Sequence, residues 1–279
     1  MTVKKFFKSK IIGENTQPLV MGVINCSPES FYTPSIKITA RDLTEYTLKL
    51  VEDGADIIDI GAASTAPVSF YPGSKYVSEE EELKRVEEAL PYIRDCTSLP
   101  ISVDTMRAKV AEKALRLGAE IINDVSGLKK DKNMKRVIEE YSPYVILMAS
   151  RREPGDISSI NQLIPALRES INIALEAKAE KSKIIIDPGF GFGKSVELNI
   201  QILKNIHRLK ALRKPILVGL SRKVFIKTMV NSDSDEDVLT GSTAATILAI
   251  LKGANIIRTH DVRQVKTVSK FISKYNLIK

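Results

Sequence analysis

The sequence predicts an α/β fold, a single (β/α)8 TIM barrel. Three observations carry the prediction. Eight short apolar runs, at 20–25, 57–61, 101–104, 121–124, 145–150, 184–187, 216–221 and 256–261, each end in or beside a chemically useful polar residue. Each run is followed by a segment with apolar residues at three- and four-residue spacing, the period of a helix that buries one face. The 279 residues suit one such barrel with little left over. An open doubly wound sheet also alternates strand and helix. Eight units in about 240 residues favour closure, and no Gly-x-Gly-x-x-Gly opens the first helix.

The elements follow in order. Residues 1–18 precede the first run and read as a hairpin or cover, leaving 19–279 as the barrel domain. Strand one delivers Asn25, and a long loop, 26–39, carries Ser27, Pro28, Pro34 and Ser35, the make-up of a lid. A helix over 41–53 stops at Gly54. Strand two leads into a second long loop, 63–78, with Pro67, Pro72 and Gly73; two long loops on one face suggest closure over a substrate. A helix over 79–95 leads to strand three and Asp104, and a helix over 107–117 stops at Gly118. Strand four ends in Asn123-Asp124 and is followed by a helix over 132–140. Strand five, 145–150, precedes a helix over 160–179. Strand six delivers Asp187, with a helix over 198–209 behind it. Strand seven brings Ser221, then Arg222 and Lys223, and a helix over 237–252 stops at Gly253. Strand eight brings Arg258 and His260, and the last helix covers 262–275. Glycine is the favoured helix stop because it adopts left-handed backbone angles at no steric cost.

Bulk properties narrow the class. The net charge of +8 could indicate nucleic acid, but lysines and glutamates interleave at 79–88 and 169–183, which is the pattern of solvated helix faces. No nucleic-acid partner is expected. No apolar run approaches the ~20 residues that cross a bilayer, so no membrane association is expected. The opening residues lack a sustained apolar core, and no signal peptide is read. The two cysteines, Cys26 and Cys96, give neither a disulfide framework nor a metal cluster, and a cytoplasmic location is expected. Cys26 reads as a packing residue.

The barrel prediction decides where the chemistry lies. Parallel strands put all their carboxyl ends on one face, so Asn25, Asp104, Asn123, Asp187, Lys223 and His260 should line one pocket. The richest segment is Asp187-Pro188-Gly189-Phe190-Gly191-Phe192-Gly193-Lys194. An acidic acceptor beside aromatic faces suits a planar heterocycle with N–H donors, and three glycines let backbone approach a ligand. The same residues would also serve as a glycine-rich turn in which Asp187 caps the next helix; residue types alone do not choose. Ser221-Arg222-Lys223 and Arg258-Thr259-His260 bring cations to the loops after strands seven and eight, where such barrels commonly seat phosphate.

These segments together resemble the dihydropteroate synthase family of pterin-binding barrels. Met21-Gly22-Val23-Ile24-Asn25-Cys26-Ser27-Pro28-Glu29-Ser30-Phe31 is similar to the family's first signature, and Asp56-Ile57-Ile58-Asp59-Ile60-Gly61 with Ser64-Thr65 to its second. The segments VDT, INDVSG, DPGFGFGK, GLSRK and R-x-HD follow in the family's order and spacing. The resemblance implies a transferase that joins 6-hydroxymethyl-7,8-dihydropterin diphosphate to an aryl amine and releases pyrophosphate, in folate or methanopterin-like cofactor biosynthesis. It implies that Asp104, Asn123, Asp187, Lys223 and Met148 hold the pterin, with Asp104, Asp187 and Lys223 in catalytic roles. Asn25, Arg258 and His260 would hold the diphosphate, with Mg2+ as cofactor near Asn25. Thr65, Pro67, Phe192 and Arg222 would line the aryl-amine side. A homodimer through the later helices is implied as well. The alternatives within the same barrel are a pterin-dependent methyltransferase and a non-catalytic pterin-binding protein.

The chain departs from the family pattern on the acceptor side. Ala63 and Ala66 flank Ser64-Thr65 where the family has an acidic residue and an arginine. Val224 replaces a serine after Lys223, and Ala149 replaces a histidine after Met148. These changes lead to the expectation of poor use of p-aminobenzoate. A bulkier aryl amine bearing a ribosyl or phosphate group would be preferred, with room left by Ala63, Ala66 and Ala149 and its phosphate met by Arg151 or Arg152.

Overall fold

The computed structural model describes residues 17–27, 39–63 and 77–275. Its strands are β1 (Leu19–Asn25), β2 (Ile57–Gly61), β3 (Ile101–Asp104), β4 (Ile121–Asp124), β5 (Tyr144–Met148), β6 (Ile184–Asp187), β7 (Leu217–Gly219) and β8 (Ile256–Thr259). All pair in parallel, in the order β6-β5-β4-β3-β2-β1-β8-β7. The two ends of that order meet. Ile186 bridges Ile216 in parallel, and the Ile186 N–H donates to the Pro215 carbonyl at 2.9 Å. The sheet is a nearly closed barrel, as expected.

Helices α1 (Ala40–Glu52), α2 (Glu79–Cys96), α3 (Ala108–Arg116), α4 (Met134–Tyr141), α5 (Leu163–Glu176), α6 (Val196–Lys204), α7 (Val224–Val230), α8 (Asp235–Leu251) and α9 (Val262–Tyr275) surround it. Side chains cap the helices where loops hand over to them. Thr39 Oγ1 accepts from the Asp42 N–H at 3.1 Å and Ser78 Oγ from Glu81 at 3.2 Å; each cap is worth about 1 kcal/mol. Gly54, Gly118 and Gly253 end their helices at φ +93°, +99° and +107°, as the sequence indicated.

Several bounds differ from expectation, among them strand eight, which stops at Thr259, and the helix expected over 160–179, which spans Leu163–Glu176. Strand five stops at Met148 and strand seven at Gly219, because the chain leaves the ladder to build the site loops. The expected helix over 198–209 is α6 followed by a separate 3-10 segment, Ile206–Leu212. Helix α7 lies outside the expected helices: Val-Phe-Ile-Lys-Thr-Met-Val is only seven residues long and rich in β-branched residues, which favour extended structure. The expected N-terminal cover and both long loops lie almost wholly outside the described residues. Pro18, at the edge, accepts a 2.6 Å hydrogen bond from Ser269 of α9.

Strand parity sorts the core. Residues Val20, Ile58, Val103, Ile122, Leu147, Ile186, Val218 and Ile257 face outward and pack against the helices. The opposite parity fills the barrel with a separate cluster that includes Leu19, Met21, Ile57, Ile121, Ile146, Ile185, Leu217 and Ile256. Side chains two residues further along a strand lie on the same face. The next inward steps are therefore Asp59, Asp104, Asn123, Met148, Asp187, Gly219 and Arg258. An apolar plug thus closes the bottom of the barrel, and a polar layer sits above it.

Candidate active site

The pterin-side residues expected from the sequence converge. Asp104 and Asn123 are direct register neighbours on β3 and β4, and Met148 and Asp187 are neighbours on β5 and β6. Asp104 and Asn123 are buried, yet Oδ1 of each has no hydrogen-bond partner. An unsatisfied buried oxygen costs about 1–3 kcal/mol, more if charged. Two such acceptors side by side prepare the site for a ligand with N–H donors. Asp187 is also buried, and its Oδ1 accepts from the Gly189 N–H at 2.7 Å.

Burial sets the electrostatics. It pushes the Asp104 carboxyl up to about 8; Arg258 opposes this, while Asp59, Glu82 and Asp124 add to it. Burial likewise raises Asp187, against the Gly189 N–H and the Lys223 charge. Burial and the neighbouring Arg258 push the Lys223 ammonium down to about 8, with Asp187 opposing. Lys223 Nζ lies 5.0 Å from the centroid of the Phe192 ring, a cation–π contact on the wall of the site.

The cations expected to hold diphosphate lie beside these acids. Arg258 Nε donates to Asp59 Oδ2 at 2.7 Å, and Nη2 reaches Asp104 Oδ2 at 3.3 Å. His260 Nδ1 is 3.2 Å from Ser221 Oγ. Burial, with the charges of Arg258, Lys223 and Arg222, pushes this imidazole down to about 3. His260 is therefore neutral at pH 7 and meets an anion as a hydrogen-bond donor. Asn25 closes the layer at the end of β1: a Cβ on its register neighbour Gly61 would lie 3.1 Å from Asn25 Oδ1.

Several expectations need correction. Phe190 does not face a ligand; it is fully buried and stacks on Phe225 at 6.1 Å. Of the two phenylalanines, Phe192 is the one in contact with Lys223. The tight approach at Gly189 is to protein: at φ +72°, a Cβ there would meet Met148 Sδ at 2.8 Å. Ala149 gives an acceptor no room, since it is buried in the outer core with the opposite parity from Met148. Arg222, expected on the aryl-amine side, is spent elsewhere. Its Nε and Nη2 grip Asp261 at 3.1 and 3.0 Å, and Nη1 reaches Asp235 at 2.8 Å. Arg151 and Arg152 are exposed, and their backbone N–H groups donate to Asp156 at 2.8 and 2.6 Å. Thr65, Pro67 and Ala66 lie outside the described residues. Cys26 is buried as expected, with its thiol pushed up to about 12 by burial.

Two site residues were not singled out from sequence. Asp59 is one; the signal was present, because a carboxylate inside Ile57-Ile58-Asp59-Ile60 shares parity with inward Ile57. Lys194 is the other. Its ammonium is buried, donates to the Gly189 carbonyl at 2.6 Å, and is pushed down to about 8 by burial. Among the described residues no three His, Cys, Asp or Glu side chains are grouped to hold a metal. Among the described residues the candidate ligand for Mg2+ is the Asn25 amide oxygen, which suits an ion that takes most of its oxygens from a bound diphosphate and water.

A parallel barrel with paired buried acceptors beside a cationic rim defines a pterin-binding barrel enzyme. The family described as pterin binding enzyme matches residues 21–260. Dihydropteroate synthase of Clostridium beijerinckii is 39% identical over 261 residues, covering 93% of this chain and 94% of that one. Dihydropteroate synthase of Bacillus subtilis is 35% identical, covering 95% and 91%. The crystal structure of the Clostridium difficile enzyme, solved in the presence of pteroic acid, superposes with a TM-score of 0.84 at 36% identity, covering 96% of this chain and all of that one. The Xanthomonas albilineans enzyme with 4-aminobenzoic acid gives 0.83 at 34% identity, covering 94% of each. The chain belongs to the pterin-binding enzyme family, within its dihydropteroate synthase branch, and is a transferase. Neither the methyltransferase nor the non-catalytic alternative is favoured.

Proposed function

We propose that the carboxyl face condenses 6-hydroxymethyl-7,8-dihydropterin diphosphate with p-aminobenzoate to give dihydropteroate and pyrophosphate. The observation that supports this best is the pair of unpartnered buried acceptors, Asp104 Oδ1 and Asn123 Oδ1. The pterin ring supplies N–H donors on its edge, and Asp187, held by Gly189, offers a further acceptor. Met148 and the methylene stem of Lys223 supply apolar contact to the flat ring. In the reaction the C–O bond from the pterin methylene to the diphosphate breaks, and its electron pair leaves with the diphosphate. The amine lone pair forms the new C–N bond, and the nitrogen then loses a proton. Positive charge that builds on the methylene is offset by Asp187 and, once it has given up its proton, by Asp104. Arg258 and neutral His260 receive the departing diphosphate. Mg2+ held at Asn25 would supply further charge neutralisation to that leaving group.

The acceptor is p-aminobenzoate rather than the phosphate-bearing amine expected from the departures. Ala149 makes no space for a larger amine, Arg151 and Arg152 are exposed, and the X. albilineans structure holds 4-aminobenzoic acid. Exposed Val224 is the described acceptor-side departure that still weakens a carboxylate seat. Comparing kcat/KM for p-aminobenzoate and a ribosyl-phosphate aryl amine at fixed pterin diphosphate tests the choice. A tenfold preference for the phosphorylated amine would restore the earlier expectation.

A homodimer is also proposed. Leu248 and Leu251 of α8 and Phe271 and Tyr275 of α9 are 48–71% exposed on neighbouring helices, and apolar side chains gathered this way mark association surfaces. Sedimentation equilibrium with Leu251→Glu/Phe271→Glu checks it: the wild type should give twice the chain mass and the variant the single mass. No helix among the described residues is long and apolar enough to cross a membrane. We place the enzyme in the cytoplasm, where its free thiols suit reducing conditions.

A further inference from the structure

Arg258 leaves β8, passes β1 and reaches carboxylates on both β2 and β3. The two contacts are unequal. Asp59 has no exposed side-chain area and holds Nε at 2.7 Å; Asp104 is met by Nη2 at 3.3 Å. A hydrogen bond to a charged group weakens steeply as it lengthens past the usual 2.7–2.9 Å, so Asp59 is the anchor and Asp104 the looser partner. One cation serves two buried carboxyl groups, and the one it holds less closely, Asp104, keeps its proton more readily. The shortfall is visible in the structure, where the second oxygen of each, Asp59 Oδ1 and Asp104 Oδ1, is buried without a partner.

We propose that Asp59 is a positioning residue: it pins Arg258 deep in the barrel so that Asp104 stays available to the pterin and Arg258 can turn its Nη2 arm to the diphosphate. This rests on the assignment of Asp104 to the pterin ring. Asp59 lies one inward step below Gly61, beside inward-facing Ser102 on β3 and deeper in the barrel than Asp104, so it acts through Arg258 and not on the substrate. In the ligand-free enzyme Arg258 bridges both acids. When the N–H groups of the ring take Asp104, the weaker bond gives way, the anchor remains, and the freed arm faces the leaving group. Without the Asp59 charge, Arg258 closes onto Asp104 and occupies the acceptor that the ring needs. The Asp104 carboxyl then also loses a like-charged neighbour that holds its proton affinity up.

The test compares wild type with Asp59→Asn. Calorimetry measures binding of 6-hydroxymethyl-7,8-dihydropterin with and without its diphosphate, and steady-state kinetics gives KM for p-aminobenzoate. Asp59→Asn is expected to weaken binding of the ring alone by about tenfold or more and the diphosphate form by more again, with the amine KM within about twofold. Its pH profile for ring binding should shift to lower pH, because Asp104 gains Arg258 for itself; a role confined to folding would leave that profile in place. Ring affinity within about threefold of wild type, or equal losses for ring and amine, overturns the proposal. Should the variant not fold, a wild-type structure with the ring bound decides. The proposal requires Arg258 Nε still on Asp59 and Nη2 gone from Asp104, and it fails if Arg258 releases Asp59 instead. If wild type does not bind the ring at all, it is the proposed function that fails, independently of Asp59.

Discussion

Replacing Asp187 with asparagine probes the pterin site with little change of shape. The carboxylate is 8% exposed, so solvent does little to soften the loss. Its Oδ1 accepts a hydrogen bond from the Gly189 N–H at 2.7 Å. An asparagine oxygen can keep that bond, so the glycine loop survives and the amide nitrogen takes the place of Oδ2. There it turns a donor toward the ring's own N–H donors. One charge-assisted hydrogen bond is lost, about 1.5–3 kcal/mol, which corresponds to a roughly 10- to 150-fold weaker Kd. Calorimetry with 6-hydroxymethyl-7,8-dihydropterin measures it, with thermal unfolding as the control for fold. A Kd within about threefold of wild type, in a variant that unfolds normally, would refute the reasoning that Asp187 carries the ring.

Further outcomes follow from other groups in the site. Lys223, pushed down to about 8, should give kcat/KM for the pterin diphosphate a falling limb near that pH; Lys223→Arg, charged throughout, should shift the limb upward, and an unchanged limb assigns it elsewhere. The Asp104 carboxyl is raised from 3.8 to about 8, so its contribution to stability is full below about 4 and is lost as pH rises through about 8. Asp104→Asn should therefore gain melting temperature relative to wild type as pH goes from about 5 to 9, while losing pterin affinity; a gap that does not change with pH rejects this. Gly189→Ala places a Cβ 2.8 Å from Met148 Sδ at φ +72°, so chemical denaturation should show a loss of roughly 2–4 kcal/mol. Excess chelator should abolish turnover and Mg2+ restore it; full activity in chelator removes the ion from the mechanism.

The polar layer was legible because strand parity is a local rule. Once Asp104, Asn123 and Asp187 are read as strand ends, the barrel brings them together with no further information. What the sequence did not show is which charges meet across the barrel. Asp59 and Arg258 are 199 residues apart, and their ion pair depends on β1 lying between β2 and β8. Arg222 looked like a substrate ligand for the same reason, since its grip on Asp261 depends on how the loops after β7 and β8 sit together. Phe190 and Phe192 are two residues apart with opposite fates, decided by left-handed turns at Gly189, Gly191 and Phe192 itself that break simple alternation. Ala149 follows inward-facing Met148 by one residue, so the same parity turns it outward into the helix-facing core and away from the acceptor.

The most direct test of the account is pyrophosphate release from 6-hydroxymethyl-7,8-dihydropterin diphosphate, measured with and without p-aminobenzoate. The account predicts release that depends on the amine and matches dihydropteroate formed mole for mole. Pyrophosphate release with no aryl-amine dependence, or tight pterin binding with no release for any aryl amine, would contradict it.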